Sequence, residues 1–261
     1  MKLVVLGSGT VALHPERVCA GYYVEAGPHR ILLDCGPGTP HQLARLRLRW
    51  DRITHIALSH FHTDHVAGLP LLIFAMRHGV PEPRSERLDL AGPEGASALI
   101  ERLADAFGDY LRDPGFPLSI TELAHGETWP LATGIHLLAH RTPHTDASLA
   151  YRLETPDGAI GYTGDTGNSE ELGAFFDGVD ILIAECSLPD EAALENHLTP
   201  SRVAALARRA APGLLLVTHM YPQLEAQDVP ALIRAAGWDG GFDVAHDGMR
   251  IDVARQLDRP G

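Results

Sequence analysis

The chain has 261 residues, of which 45% are hydrophobic and 21% are charged, so it can bury a sizeable core as an ordinary globular protein. Its formal net charge of −13 argues against a broad basic surface for nucleic acid. Three widely spaced cysteines, Cys19, Cys35 and Cys186, form no C-x-x-C pair, which argues against a disulfide framework and favours a reducing cytoplasm. The apolar run at residues 3–6 is too short for a signal peptide or a membrane span.

The N-terminal part of the chain has the pattern of a β-rich layer followed by a helix. Strands are predicted at residues 3–6, 21–25 and 30–33, and a helix is predicted at 40–49. The glycine-rich turn at 7–10 lacks the G-x-G-x-x-G spacing, which argues against a dinucleotide site. Asp34 directly follows the third strand, where its carboxylate either anchors a neighbouring loop or caps a turn, and both interpretations stay open.

Four ligand-type side chains follow the next predicted strand, at residues 53–58. They are His60, His62, Asp64 and His65, in a segment predicted to be a loop before an apolar helix at about 66–76. Imidazole and carboxylate groups are the usual ligands of zinc and similar cations. The four residues are too close in sequence to form separate sites, so they indicate two neighbouring metal ions. The alternative is a histidine-rich surface loop that binds nothing.

The rest of the chain alternates strands and helices after a second β-rich stretch. A helix is predicted at 94–107 with Pro93 suited to its first turn, and the weakly patterned segment 109–130 is predicted to be a lid or edge with one or two strands. The later predicted elements are strands at 135–140, 148–154, 159–162, 180–184, 214–218, 242–245 and 249–253, and helices at 170–176, 201–210 and 229–236. Thr199 and Pro200 suit the N-cap and first residue of the helix at 201–210. This order favours two sheets packed face to face with helices outside, in a single domain over 1–261.

Three further ligand-type residues lie beside later predicted strands: His144, Asp165 and His219. With 15 histidines in the chain, a lone histidine at a strand end is more often structural, but the combination completes a set for two ions. The expected division gives His60, His62 and His144 to one ion and Asp64, His65 and His219 to the other, with Asp165 as a bridge. Two ions about 3.5–4 Å apart can share a water and activate it for attack.

The run HFHTDH after ITHIALS, together with His144, GDT at 164–166 and THM at 218–220, resembles the metallo-β-lactamase superfamily. The resemblance covers essentially the whole chain, from LGSGT to the last strands. It implies an α/β (α+β) fold, a four-layer αββα sandwich of two mixed sheets with helices outside and the metal site at the sheet edges.

Within that superfamily, two features resemble the ribonuclease Z-like phosphodiesterase branch: Gly92-Pro93 before a helix, and the H-x-T element at 197–199 preceded by Glu185. In that branch the histidine, here His197, contacts the phosphate or protonates the leaving group. A position before a helix N-terminus also favours an anion there, and Glu185 could orient the ring. The alternative is that His197 caps a loop and Glu185 faces solvent. Asp165 stands where familiar zinc β-lactamases tend to have a cysteine, which disfavours a β-lactam substrate.

Two departures from the branch argue against transfer RNA. The chain has no glycine- and lysine-rich inserted arm, and no arginine follows His219 in the run HMYP. The expected function is therefore a dinuclear metal-dependent hydrolase in which a hydroxide shared by the ions attacks small or cyclic phosphodiesters, with Asp64, His197 and Glu185 as catalytic residues. The alternatives are a lactonase, arylesterase or sulfatase, a tRNA 3′-processing endonuclease, or a metal-holding sensor. Zinc is the favoured metal, with manganese or iron as alternatives, no membrane partner is expected, and a homodimer is one possible assembly.

Overall fold

The computed structural model of the protein describes residues 1–253, so the end of the predicted domain, 254–261, lies outside the described residues. Two seven-stranded sheets are found in the described part of the chain. Both are mixed, since β1 and β2 pair antiparallel whereas β3 and β4 pair parallel, and the second sheet likewise combines both kinds of pairing. In spatial order, the first sheet contains β14 (Arg250–Asp252), β1 (Lys2–Gly7), β2 (Gly21–Ala26), β3 (His29–Leu33), β4 (His55–Ala57), β5 (Leu88–Pro93) and β6 (Leu118–Leu123).

The second sheet is formed almost wholly by the C-terminal half of the chain. In spatial order, it contains β13 (Phe242–Val244), β12 (Leu214–Thr218), β11 (Ile181–Glu185), β10 (Gly158–Tyr162), β9 (Leu149–Thr155), β8 (Ile135–Arg141) and β7 (Thr128–Ala132). The weakly patterned segment 109–130 therefore includes β6 and the start of β7, which are edge strands of different sheets. This confirms the prediction of an edge region, and its weak pattern has a physical reason, because edge strands are covered on fewer sides than central ones.

The residues of each central strand alternate between two cores, as the two-residue period of a strand requires. Leu3 and Val5 of β1 pack between the sheets, whereas Val4 and Leu6 pack under the helices of the first half. Ile183 of β11 joins the core between the sheets, and its neighbours face the helices of the second half. The four layers are thus helix, sheet, sheet and helix, which confirms the predicted sandwich.

The helical layers are α1 (Thr39–Arg45), α2 (Thr63–Val66), α3 (Leu69–His78) and α4 (Ala96–Phe107) on one side, and α5 (Glu170–Phe175), α6 (Pro200–Ala210), α7 (Pro222–Glu225) and α8 (Val229–Ala235) on the other. None of the helices within residues 1–253 combines the length and the apolar character that crossing a membrane requires.

Several predicted boundaries are wrong near the candidate ligands. The strand at 53–58 is reduced to β4, and the predicted loop at 60–65 contains the short helix α2, which carries Asp64 and His65. The apolar helix begins at Leu69 rather than at 66, because Pro70 has no amide hydrogen and fits only the first turn of a helix.

Two predictions about helix starts also need correction. Pro93 is the last residue of β5 and not part of the first turn of α4, which begins at Ala96 after Gly95 with φ of 95°. Pro200 is the first residue of α6, as predicted, but the Thr199 side chain makes no capping bond to that helix.

The carboxyl ends of the parallel strands in both sheets lie at one edge of the sandwich, where the loops that follow β3, β4, β10, β11 and β12 meet. Close backbone contact secures this edge: the Cys35 amide donates to the carbonyl of His65 at 2.7 Å, and the Gly68 amide donates to the carbonyl of Cys35 at 2.8 Å. Gly36 directly follows Cys35, and a Cβ atom placed on it would come within 2.0 Å of the Asp64 carbonyl oxygen. The turn that carries two candidate ligands therefore depends on glycine at this position.

We expect Gly36→Ala to destabilise the protein by about 3 kcal/mol or more, because the new methyl group must push α2 away from the turn after β3. Urea unfolding followed by circular dichroism would measure this. Gly27→Ala is the matched control, since Gly27 has φ of 57° but no atom within 4 Å of its Cβ position. Its expected cost is only about 1 kcal/mol. Equal effects of the two substitutions would contradict the close-approach argument.

Candidate metal centre

Both sheets deliver ligand-type side chains to the same edge of the sandwich. His60 follows β4, and the turn α2 adds Asp64 and His65. Asp165 follows β10, and His219 follows β12 with the unusual left-handed φ of 58°. The remaining two predicted ligands are His62, which precedes α2, and His144, in the loop between β8 and β9. All seven predicted ligands are therefore brought together in one region.

One group of ligand atoms is formed by His60, His62, His144 and Asp165. The Nε2 atom of His144 lies 3.1 Å from Nδ1 of His62 and 3.7 Å from Oδ2 of Asp165. The Nε2 atom of His60 lies 3.8 Å from the same Asp165 oxygen. His62 is exposed whereas His60 and Asp165 are buried, so this side of the centre opens to solvent.

A second group is formed by Asp64, His65 and His219, all of which are buried. The Nε2 atoms of His65 and His219 are 3.3 Å apart. Oδ2 of Asp64 lies 3.4 Å from Nε2 of His219 and 3.8 Å from Nε2 of His65. Oδ1 of Asp165 completes the group at 3.3 Å from His65 and 3.5 Å from His219. The two oxygens of Asp165 therefore face different groups of imidazoles.

The spacing of these atoms fits metal coordination. Ligands about 2.1 Å from a tetrahedral ion lie about 3.4 Å from one another, and the distances within both groups are close to that value. Two buried atoms at the centre, Nε2 of His60 and Oδ1 of Asp165, also have no hydrogen-bond partner within residues 1–253. Buried polar atoms are nearly always paired, so these two are suited to bind a cation.

Hydrogen bonds on the far side of the rings orient the lone pairs toward the centre. The Ser59 hydroxyl donates to Oδ2 of Asp34 at 2.7 Å, so it can only accept from Nδ1 of His60, which lies 3.0 Å away. The Ser187 hydroxyl has its shortest contact with Oε2 of Glu185 at 2.6 Å, and it lies 3.1 Å from Nδ1 of His219. A proton on Nδ1 leaves the Nε2 lone pair free, which is the form that a metal ligand needs.

The other two rings are oriented in the same way. Nδ1 of His65 donates to Oδ2 of Asp34 at 2.7 Å, and Nδ1 of His144 donates to the carbonyl of Asn196 at 2.9 Å. The contact with His65 decides the role of Asp34, which the sequence left open: Asp34 anchors a candidate ligand. Asp34 is fully buried and also accepts bonds from the Ser59 amide at 2.6 Å and from the Tyr162 hydroxyl at 2.5 Å.

The titration of these groups reflects their burial and their mutual contacts. Burial, reinforced by the neighbouring His65, lowers the pKa of His60 far below its ordinary value. Burial alone would lower the pKa of His65, but the carboxylates of Asp165 and Asp34 outweigh it and raise the pKa. Burial would raise the pKa of Asp165, but the imidazoles of His219 and His65 hold it well below its ordinary value. A metal that takes the Nε2 atom of His65 must therefore displace a proton.

His197 and Glu185 lie beside the two groups. Nδ1 of His197 contacts Oε1 of Glu185 at 2.9 Å, and Glu185 is buried rather than facing solvent. The carboxylate also accepts from the amides of Thr166 at 2.7 Å and Leu198 at 3.2 Å. Burial would lower the pKa of His197, but the hydrogen bond and charge of Glu185 outweigh it and raise the pKa. The ring therefore holds a proton more strongly than a free histidine.

Three supporting residues were not predicted from the sequence: Ser59, Ser187 and Asn196. Ser59 directly precedes His60, and Ser187 follows Glu185 by two residues. A search of the residues next to the predicted site residues could therefore have found both serines. Asn196 acts through its backbone carbonyl, which no side-chain pattern can reveal.

Comparison with known proteins identifies the family to which this chain belongs. A family model described as "Beta-lactamase superfamily domain" matches residues 29–220, a range that includes every candidate ligand. The chain belongs to the β-lactamase superfamily. This confirms the predicted resemblance and the predicted enzyme class, a metal-dependent hydrolase.

Relatives and solved structures of this superfamily match along nearly the full chain. The ribonuclease Z of Haloferax volcanii is 26% identical over 308 residues, covering 97% of this chain and 95% of the relative. The metallo-beta-lactamase fold protein YhfI from Bacillus subtilis has a TM-score of 0.84 at 20% identity, covering 96% of this chain and 98% of that one. The short form of human tRNase Z has a TM-score of 0.79 at 22% identity, covering 97% and 99%. These structures confirm the fold.

We expect Asp34→Asn to lower the free energy of unfolding of the metal-free protein by about 3 kcal/mol or more, because buried donors lose a charged acceptor. Asparagine tolerates the left-handed φ of 56° at this position, so the change tests the hydrogen bonds rather than the backbone. Urea unfolding in the presence of a chelator gives the value. The exposed Asp239→Asn is the control, with an expected effect within about 0.5 kcal/mol. A similar small effect at Asp34 would refute its role as anchor.

Proposed function

We propose that this chain is a dinuclear metal-dependent phosphodiesterase that acts on small or cyclic phosphodiesters. One observation carries the proposal: Oδ1 of Asp165 lies 3.3 Å from His65, whereas Oδ2 lies 3.7 Å from His144, so the carboxylate reaches both groups of imidazoles. A carboxylate that reaches two ligand sets would hold two ions side by side, and such a pair would stabilise both the attacking and the leaving oxygen of a displacement at phosphorus. The ring of His197 beside the centre, whose raised pKa favours the protonated form, would add a general acid.

Each side chain has a role in this proposal. One divalent ion would be held by His60, His62 and His144, the other by Asp64, His65 and His219, with Asp165 between them. When bound, such a pair supplies Lewis acidity and makes water nucleophilic near neutral pH. Zinc is favoured because imidazoles dominate the set, and manganese or iron are alternatives.

The remaining steps belong to the chain itself. Glu185 holds the Nδ1 proton of His197, which leaves Nε2 to donate a proton to the departing oxygen. Asp64, at the edge of the second group, takes up at its carboxylate the proton that the attacking water releases. The N-terminus of α6 is already occupied by a carboxylate, because the Ser201 amide donates to Oδ1 of Asp190 at 3.3 Å.

Charge and length support a small substrate over transfer RNA. A cavity of about 500 Å³ at the ends of β5 and β6, whose lining includes none of the candidate ligands, is lined by four carboxylates together with Arg141 and His125; the four are Glu94, Glu122, Glu127 and Asp146. Such a lining repels a polyanion. The alignment with the Haloferax volcanii ribonuclease Z is longer than this chain, so that relative contains inserted residues that have no counterpart here. Both observations agree with the absence of a basic arm from the sequence.

The proposal predicts that Asp165→Ala lowers bound metal and reduces hydrolysis of bis(p-nitrophenyl) phosphate by about 100-fold or more, since both ions lose a ligand. Metal content by mass spectrometry and initial rates would be compared with wild type and with Asp177→Ala, an exposed aspartate outside the ligand groups.

Treatment of the wild-type protein with a chelator should abolish activity, and added Zn²⁺ or Mn²⁺ should restore it. A correctly folded Asp165→Ala protein with full metal and full activity would disprove the proposal, and faster turnover of a lactone would favour the esterase alternative.

A pH profile tests the acid role of His197. The Glu185 contact raises the pKa of His197, so the protonated ring persists to higher pH and activity should fall only as pH rises through that raised value. Glu185→Gln removes the charge, so the alkaline limb of kcat should move to lower pH. Glu191→Gln, an exposed change in the preceding loop, should leave the profile unchanged. An alkaline limb that stays in place in Glu185→Gln would exclude His197 as the group responsible.

A further inference from the structure

Tyr221 is an aromatic side chain beside the centre that the proposed mechanism does not use. Its ring centroid lies 6.3 Å from that of His197 and 6.2 Å from that of His219, and it is steeply inclined to both rings, at 74° and 82°. The backbone secures this position, because the Tyr221 amide donates to the carbonyl of Ser187 at 3.0 Å and the residue is the N-cap of α7. The side chain is half-buried, and its hydroxyl has no hydrogen-bond partner among residues 1–253.

Two loops with exposed apolar side chains adjoin α7. One contains Val11 and Leu13, which are 56% and 97% exposed. It is fastened to α7 through Glu225, which pairs with Arg17 at 2.7 Å and with His14 at 3.6 Å.

The second loop leads directly to His197. It contains Leu194, which is 51% exposed, and the Asn196 carbonyl that orients His144. Gln227, just after α7, bonds to Glu191 of this loop at 3.4 Å. The Tyr221 ring thus lies next to His197, on the side of the centre that is occupied by the proposed proton donor.

We propose that Tyr221 determines substrate specificity by packing its ring against a flat, apolar leaving group, an aryl or heterocyclic alcohol, on the phosphodiester. This inference rests on the proposed function, because His197 identifies the leaving-group side only if it acts as the acid. The leaving oxygen must lie within hydrogen-bond reach of His197, so the group attached to that oxygen extends over the neighbouring Tyr221. An aromatic face attracts a flat apolar group and offers little to a strongly hydrated one.

The test compares two phosphonates that share one anionic head: phenylphosphonate and methylphosphonate. Isothermal titration calorimetry on the metal-loaded protein measures their dissociation constants without turnover. Wild type should bind phenylphosphonate about tenfold more tightly than methylphosphonate, as ring packing of this kind allows. Tyr221→Phe should keep that ratio, because the ring remains. Tyr221→Ala should reduce it to about twofold or less while leaving the affinity for methylphosphonate unchanged.

A matched control is Tyr110→Ala, which removes a partly exposed tyrosine on the opposite helical layer, where it packs against Phe74. It should keep the wild-type ratio. Kinetics provide a second readout: Tyr221→Ala should raise KM for bis(p-nitrophenyl) phosphate about tenfold and change kcat by less than about twofold, because the ring binds and does not react.

Three outcomes would overturn the inference: an unchanged phosphonate ratio in Tyr221→Ala, an equal loss of affinity for both phosphonates, or a lost ratio in Tyr221→Phe, which would assign the effect to the hydroxyl. Each can occur in a protein that hydrolyses phosphodiesters normally. Conversely, a wild-type protein that binds both metals but hydrolyses no phosphodiester refutes the proposed function, so the two failures are distinguishable.

Discussion

The candidate centre depends on one buried carboxylate, Asp34. It occupies a left-handed turn at the end of β3, is fully buried, and accepts bonds from Ser59, His65 and Tyr162. A buried negative charge is tolerated only where donors replace the lost water. Here the donors come from the loop after β4, from α2 and from β10 of the second sheet, so the same contacts that satisfy the charge join the two sheets and orient a candidate ligand.

Glu185 repeats this arrangement from the second sheet. Each carboxylate contacts one imidazole directly, Asp34 that of His65 and Glu185 that of His197. Each carboxylate also accepts a hydrogen bond from a serine hydroxyl, Asp34 from Ser59 and Glu185 from Ser187. The same hydroxyls contact two further imidazoles, Ser59 that of His60 and Ser187 that of His219. Four rings are thus oriented by two buried charges, one at the end of a strand in each sheet. Such outer contacts control the tautomer and the direction of the ligands, which decides whether a metal can bind.

The electrostatic character of the site differs from that of the whole chain. The net charge of −13 and the acidic cavity at the ends of β5 and β6 disfavour a polyanion, whereas the cluster of imidazoles favours one small anionic group. The ring of Tyr221, under the inference drawn above, adds a preference for what is attached to that group. Under the proposed function, substrate choice is therefore made around the centre and not by its ligands.

Much of this protein could be predicted without coordinates. Ligand types at close spacing after β4, and single ligands beside β9, β10 and β12, indicated the superfamily, and strand periodicity indicated two sheets under helices; the family match and the sandwich confirm both. The ligand roles stay predictions. Local turns were harder, because the break between α2 and α3 depends on Pro70 and on contacts with Gly36.

What the sequence by itself determined was the kind of chemistry: which side chains can bind a metal, in what order, and at which strand ends. The tertiary structure alone decided how they are used. The Asp34–Tyr162 bond joins residues 128 positions apart, and the His65–His219 contact joins residues 154 positions apart. Such distances in sequence carry no local pattern, because the contacts exist only once the two sheets have packed against each other and brought their strand ends to one edge.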